Sequence, residues 1–274
     1  MNRIYIPAQS PDDWKTLLAD PDKHWNEGRS AWCIAHCWQN VRGFPPEVND
    51  AFQSSGIAAL ENMELLLATP EHKVALPGGG HPSQNDLFIL ARGGEGLISI
   101  TVEGKVNETS GPLVSEWFQD PSEGKKQRLE FLCELLGLER SKVMSIRYQL
   151  LHRTASAILE ARRFNAPHAL MLVHSFSADN AGFVDYAAFA ALYGARPELP
   201  GILQAGKIGG VVLHLGWVTA TPPYSVQQTC GKPIQGVVTA RKCEHCGHHE
   251  IGITDSDGKY WPLSPGQTVD VRPA

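Results

Sequence analysis

The chain lacks any long hydrophobic run. Its most apolar stretches, such as HALMLVHSF, are far too short for the roughly 20 residues that cross a bilayer. The opening MNRIYIPAQSPDDW carries no apolar leader segment, so a cytoplasmic location is expected. Cysteine is scarce, six in 274 residues, and two of the six form a Cys243-x-x-Cys246 pair. That count weighs against a disulfide framework and toward metal or free thiols. Charge is modest at 19%, and the net value of -5 excludes a protein whose whole surface grips nucleic acid. Any such site must be local. Internal repeats and low-complexity segments are also missing. What is present is 42% hydrophobic residues, enough for a sizeable core in one large domain with a small appendage.

Residues 11–22, 28–41 and 56–68 space their apolar side chains at three and four, which predicts helices. PGGGHPSQ, residues 77–84, is a loop that must deliver the chain to something extended. Strands are predicted at 86–92 and 97–106, helix over much of 111–138, and one long helix at 142–163. A buried strand at 168–176, a helix at 183–194 and a strand at 211–218 complete residues 1–220. This alternation implies an α/β sandwich. After ATPPYSVQQT the composition turns to Cys, His, Gly and Asp, so residues 225–274 read as a separate small Cys/His-containing β module.

NDLFILARGGEGLISITVEGK, residues 85–105, holds two strand-like runs around a glycine turn. A hairpin turning on Gly93, Gly94, Glu95 and Gly96 sets Arg92 opposite Leu97, Phe88 opposite Thr101, and Asp86 opposite Glu103. Cross-strand neighbours hold their Cβ atoms about 4.5–5.5 Å apart, where like charges destabilise the pair. Period-two alternation places Lys105 on the face of Glu103. A divalent cation is the natural companion, since Mg²⁺ is typically held by one or two carboxylates plus water and phosphate oxygens. The plain alternative is a solvated strand end with a surface ion pair worth under about 1 kcal/mol. Against it, both carboxylates flank runs that read as buried, and charges there need partners. Ser83 and Asn85 add polar groups at the same mouth.

Asp86 followed by Glu103-Gly104-Lys105 on a hairpin resembles the D…(D/E)-x-K signature of the PD-(D/E)XK nuclease-like superfamily, which includes many restriction and repair nucleases. The resemblance implies a restriction-endonuclease-like α/β sandwich with a mixed central sheet. It implies Mg²⁺ (or Mn²⁺) bound by Asp86 and Glu103, with the Gly104 carbonyl as a further ligand, and Lys105 activating water for phosphodiester hydrolysis in DNA. Members often place a glutamine or a basic residue of the core helix near metal or phosphate. Gln149 is accordingly a candidate catalytic residue, with Arg153 and Arg147 as nucleic-acid-binding candidates. For the upstream acid that is common in the superfamily, Glu64 is preferred over Glu61 and Glu71. DNA is the expected partner, with a second copy of the chain in a homodimer. Residues 1–220 also resemble a widespread bacterial group sharing the PSQNDLF and VEGK blocks, a likeness that supplies no chemistry.

The superfamily core runs helix, hairpin, third strand, helix, fourth strand. Residues 143–163 and 168–176 fit the last two elements, but 107–141 read as loop and helix where a third strand is expected. In the long helix, Ser156, Glu160 and Arg163 read as a solvated face. The rival function is a catalytically silent nucleic-acid-binding or protein-interaction module that keeps the fold; the intact Asp86, Glu103 and Lys105 set favours activity. A third reading places all function in a zinc-supported structural tail. There, Cys230, Cys243, Cys246 and His248 form a candidate Zn²⁺ set, with His249 as the alternative fourth ligand, His245 a bystander, and a metal-free β module as the plain reading. Cys33 and Cys37 read as core or near-core packing among Trp32, Ile34 and Trp38. PGGGHP lacks the Gly-Lys-Ser/Thr of a nucleotide loop, and His168, His174 and His214 read as satisfied buried histidines.

Overall fold

In the computed structural model, described over residues 8–39, 41–223, 236–242, 249–255 and 260–262, the chain forms two compact units, Met1–Tyr224 and Ser225–Ala274. The first opens with a 3₁₀ helix, Pro11–Leu17, then helices α1 (Pro21–His24), α2 (Ser30–Gln39) and α3 (Pro46–Ser54), and a short 3₁₀ turn, Ala58–Leu60. Strands β1 (Glu64–Val74), β2 (Ser83–Gly93) and β3 (Gly96–Lys105) follow. Helices α4 (Val114–Trp117), α5 (Glu123–Leu136), α6 (Arg140–Val143) and α7 (Tyr148–Arg163) lead to β4 (His168–Ser175), then α8 (Phe183–Ala191), β5 (Gly201–Ile208) and β6 (Val211–Thr219). The second unit contains an antiparallel sheet of β7 (Gly236–Lys242), β8 (His249–Asp255) and β9 (Tyr260–Pro262). Cys230, Cys243, Cys246 and His248 lie outside the described residues, and the zinc expectation lies there with them.

The large sheet has the order β1-β2-β3-β4-β6-β5. Its first three strands form an antiparallel meander, β3 and β6 both run parallel to β4, and β5 is antiparallel to β6. Hydrophobic layers cover both faces. One sets Trp32, Ile34 and Trp38 of α2 against Ile98, Ile100 and Val102 of β3. The other sets α5, α7 and α8 against Met171, Val173, Leu213 and Trp217. The result is the predicted α/β sandwich with a mixed sheet. β4 is buried along its whole length, as a strand with a parallel neighbour on each side and helices above and below must be. No described helix is long and apolar enough to cross a membrane.

The hairpin register is the one the glycine turn requires: Gly93 pairs with Gly96, Arg92 with Leu97 and Phe88 with Thr101. The predicted helix at 56–68 is corrected. Only Ala58–Leu60 turn, Asn62 has φ +52°, and from Glu64 the chain is strand. An apolar run such as Met63–Ala68 suits either period, and pairing with β2 decides it. The strand expected after the hairpin therefore lies before it, as β1. Residues 107–141 are helix and loop, as read. Helix α3 and strand β5 were not anticipated.

β3 packs so closely on α2 that Gly104 has no room for a side chain: a Cβ there would stand 2.4 Å from Ile34 Cγ1 and 3.3 Å from the Ser30 carbonyl oxygen. Gly104→Ala is expected to cost about 1–3 kcal/mol by overpacking, a loss of several degrees in thermal melting. A melt equal to wild type would show that α2 can retreat freely from β3.

Candidate active site

One face of β3 carries the row Ser99, Thr101, Glu103, Lys105. Ser99 Oγ donates to the Ala157 carbonyl (2.9 Å) and Thr101 Oγ1 to the Arg153 carbonyl (3.1 Å). The partners step back along α7 by four residues for every two along the strand. This follows from geometry, since two strand residues rise about 6.6 Å and four helical residues about 6 Å. The next step brings Glu103 to Gln149, and long side chains let Arg153 reach on to Glu103 and Lys105 reach back to Gln149.

At that end Glu103 Oε1 accepts from Lys105 Nζ (2.9 Å) and Gln149 Nε2 (2.6 Å), while Oε2 accepts from Arg153 Nε. Lys105 Nζ also donates to Gln149 Oε1 (2.8 Å), and Arg153 Nη1 to Ser83 Oγ (3.3 Å). Glu103, Lys105 and Arg153 are all buried. Burial alone would raise the Glu103 carboxyl, but Arg153 and Lys105 outweigh it and hold the group at about 2.

Pairing of Leu87 with Val102 puts Asp86 opposite Glu103, and pairing of Pro70 with Leu87 and His72 with Asn85 puts Glu71 opposite Asp86. Three acids thus stand in line across β1, β2 and β3. Asp86 Oδ2 accepts from the Gly104 amide (2.8 Å), and Glu71 Oε2 from Gln84 Nε2 (2.6 Å). Burial, reinforced by the Glu103 charge, pushes Asp86 up to about 7; burial, reinforced by Asp86, pushes Glu71 up to about 8. Glu71 holds φ +50°, a left-handed conformation that costs a non-glycine residue on the order of 1–3 kcal/mol and tends to mark functional sites. Glu64, the acid preferred from sequence, is instead half-exposed at the start of β1, 3.8 Å from Arg92. The upstream acid in the row is Glu71.

These residues floor a cleft of about 500 Å³ lined by Glu71, Gln84, Asp86, Glu103, Lys105, Gln149 and Arg153. Lys23, His24 and Arg29 form its exposed rim. Arg147 lies elsewhere, with Nε on Asp185 (2.9 Å) and Nη1 on the Gly111 carbonyl (3.0 Å). The polar stripe of α7 is not a solvated face: Ser156 and Glu160 are buried, and only Arg163 is exposed. Sequence reading weighed Glu71 but ranked it below Glu64, and it missed Gln84 and the rim. The available signal was Pro70, which ends any helix and makes a strand reading of PEHKV consistent.

Among the described residues, the set bringing three metal-ligand types within 4.8 Å of one another is Cys37, Glu47 and His174; the acid row is more open than that. A metal at the Cys37 cluster conflicts with its hydrogen bonds. Trp38 Nε1 donates to His174 Nδ1 (3.0 Å), so His174 carries its proton on Nε2 and gives it to Glu47 (3.1 Å). Burial keeps Cys37 protonated, and its thiol rests on Glu47 (3.4 Å). His174 and the partnered pair His168 and His214 (3.1 Å) are core histidines, though Nδ1 of His214 has no partner among the described residues.

Asp86 and Glu71 keep their protons in the folded state at pH values where the unfolded chain has lost them. At these two groups the folded state binds more protons, and their contribution to stability falls as pH rises from the ordinary carboxyl range through about 7 and about 8. Histidines held below their ordinary range, His152 and His214 among them, act in the opposite sense, so the acid row is isolated by comparison: in urea unfolding with chelator, Asp86→Asn with Glu71→Gln is expected to gain midpoint relative to wild type as pH rises from 5.5 to 8.5. A double variant whose midpoint follows pH as wild type does would place the titration elsewhere.

No curated protein and no solved structure matches the chain. A family match covers residues 7–222, and the chain belongs to that family, described as a domain of unknown function (DUF6946).

Proposed function

We propose that this protein is a Mg²⁺-dependent (or Mn²⁺-dependent) nuclease of the PD-(D/E)XK type that hydrolyses phosphodiester bonds in DNA. The observation that carries the reading is the convergence of Asp86, Glu103, Lys105 and Gln149, from β2, β3 and α7, on one cleft. The meander β1-β2-β3, continued by α7 into the parallel β4, supports it.

The residues fit a hard divalent cation. Three acids meet two cations, Lys105 and Arg153, which leaves one negative charge over; burial and this excess raise Asp86 and Glu71, and a single proton or a cation can take the charge up. Hydrogen bonds of the described residues engage Oδ2 of Asp86 and Oε2 of Glu71, leaving Oδ1 and Oε1 for a cation. Asp86 and Glu103 would hold it, with the Gly104 carbonyl as a further ligand and Glu71 beside them. A bound Mg²⁺ supplies charge neutralisation at the phosphate and a more acidic water. Lys105 has three N–H groups and spends two on Glu103 and Gln149, so the third can orient water or meet a phosphate oxygen. Gln149 fixes Lys105 and Glu103 together. Arg153 is committed to Glu103 and Ser83 and acts as a positioning residue. Lys23 and Arg29 place positive charge at the rim, beside the ionised Glu108, a local attraction for a polyanion in a chain of net charge -5.

The silent binding module is favoured by one observation: Glu103 already accepts three hydrogen bonds, so it must release one to serve a metal fully. Cleavage of linear and circular DNA with Mg²⁺ or Mn²⁺ decides between the two. Wild-type protein is expected to cleave and chelator to stop it, while Asp86→Asn or Lys105→Ala should lose about 10²-fold or more in rate. DNA binding without any cleavage would establish the silent module, and cleavage by Lys105→Ala at the wild-type rate would remove the role given to that lysine.

A further inference from the structure

A second cleft, of about 360 Å³, lies between the Gly78–Gly80 loop and the first turns of α5 and α7. None of the residues lining it is Asp or Glu, in a chain with 29 acids and a net charge of -5. Its charged groups are Lys125 and Arg128, joined by His81 and His152. Arg128 is buried, and its N–H groups go to four backbone carbonyls, those of Leu76, Pro77, Gly79 and His81, at 2.8–3.3 Å. Those carbonyls hold the guanidinium without neutralising it. The glycine loop is therefore a cradle for an internal cation, and the positive charge it fixes is left facing the cleft. Lys125 spends one of its three N–H groups on the Trp117 carbonyl (2.6 Å).

One wall is aromatic. Trp117 and Tyr148 stack with ring centroids 4.0 Å apart at 10°, His152 continues the row 4.9 Å from Tyr148, and Lys125 Nζ lies over the Trp117 ring, 5.5 Å from its centroid, so an incoming ring takes the place of that ammonium on Trp117. On the other wall a Cβ at Gly80 would meet nothing within 4 Å, so bare backbone is offered there. Positive charge, π surface and exposed peptide groups together suit a flat heteroaromatic ring that carries a phosphate. Base–aromatic contact of this kind is sequence-tolerant because every base has a π face.

The cleft adjoins the acid site through chain neighbours. Gln84 and Gln149 line the acid cleft, and Ser83 and Tyr148, one residue away in each case and so about 3.8 Å apart at Cα, line the second. Arg153 joins the two, reaching from Glu103 to Ser83 Oγ. We propose that the second cleft is a subsite for one unpaired nucleotide flanking the phosphate in the acid cleft, which makes locally single-stranded nucleic acid the substrate class. The assignment rests on the nucleic-acid reading of the acid cleft. A base stacked and paired within a duplex cannot present its face to the Trp117–Tyr148–His152 row, so strand opening at this position is part of recognition.

The test uses the full chain in chelator, titrated with an oligonucleotide carrying one 2-aminopurine, single-stranded or annealed. Wild-type protein is expected to change the fluorescence of the single strand and to prefer it over the duplex. Trp117→Ala should weaken that binding about tenfold, and Trp117→Phe should restore most of it. Because Trp117 also packs against the core, Lys125→Gln is measured in parallel; it should lower the dependence of log affinity on log salt by about one. Wild-type affinity in Trp117→Ala, or an unchanged salt slope in Lys125→Gln, overturns the subsite. The two readings fail separately. A wild type that cleaves DNA with no dependence on Trp117 or Lys125 removes the subsite and leaves the nuclease. Aromatic-dependent binding of single strands by a protein that never cleaves keeps the subsite and removes the hydrolysis.

Discussion

The buried carboxylate of Glu103 is the constraint on which the rest of the site depends. A lone ionised carboxylate so far from water would cost several kcal/mol, and breaking a buried pair by removing one partner costs about 3–5 kcal/mol. Glu103 is kept ionised by Arg153 and Lys105, with Gln149 completing its hydrogen bonds. Those partners come from its own strand and from one face of α7. The position of α7 on the sheet is therefore tied to a charge as well as to apolar packing. The same two cations fall one charge short of the three acids. Burial, reinforced by that deficit, raises the carboxyl groups of Asp86 and Glu71, the members of the row farther from Arg153 and Lys105 along the line of strands. The protonation of Asp86 and Glu71 is thus coupled to the pairing of Glu103.

Much of this was legible in the sequence because a short hairpin leaves little freedom. Four residues with three glycines, Gly93 to Gly96, set the register, and the register then sets Asp86 beside Glu103 and Lys105 on the Glu103 face. Gln149 and Arg153 were also readable, because four-residue steps on a helix keep side chains on one stripe. What failed was the judgement of which stripe faces water. Ser156 and Glu160 look solvated on a helix considered alone. They are buried with polar partners: Ser156 Oγ donates to the His152 carbonyl (2.9 Å), and Glu160 lies 3.5 Å from His72 Nε2 on β1. Periodicity reports that a helix has two faces; the partner surface decides which is inside.

Glu71 shows a different limit. Its place in the row depends on pairing between β1 and β2 across the glycine loop and on a left-handed backbone within β1, neither of which has a local signature beyond Pro70. The glycine loop lacks a nucleotide-loop signature, and what its backbone holds needed coordinates to see. Gly78 has φ +76°, and a Cβ there would stand 2.3 Å from the Gly124 carbonyl oxygen, so this glycine is demanded by close approach to α5. The carbonyls turn toward Arg128, a residue fifty positions downstream whose charge carries no sequence mark of being buried.

Arg153 connects these two regions physically. Its Nε serves Glu103 on the acid side, while its Nη1 lies 3.3 Å from Ser83 Oγ and 3.4 Å from His152 Nδ1 on the aromatic side. Burial, together with the adjacent guanidinium, holds His152 well below the usual histidine range, so it stays neutral. The positive character of the aromatic cleft therefore comes from Lys125 and Arg128, not from a titrating imidazole. Any change that loosens Glu103 from Arg153 frees part of a guanidinium directed toward Ser83. The ionisation of the acid row and the polarity of its neighbouring cleft are in this way set by one side chain.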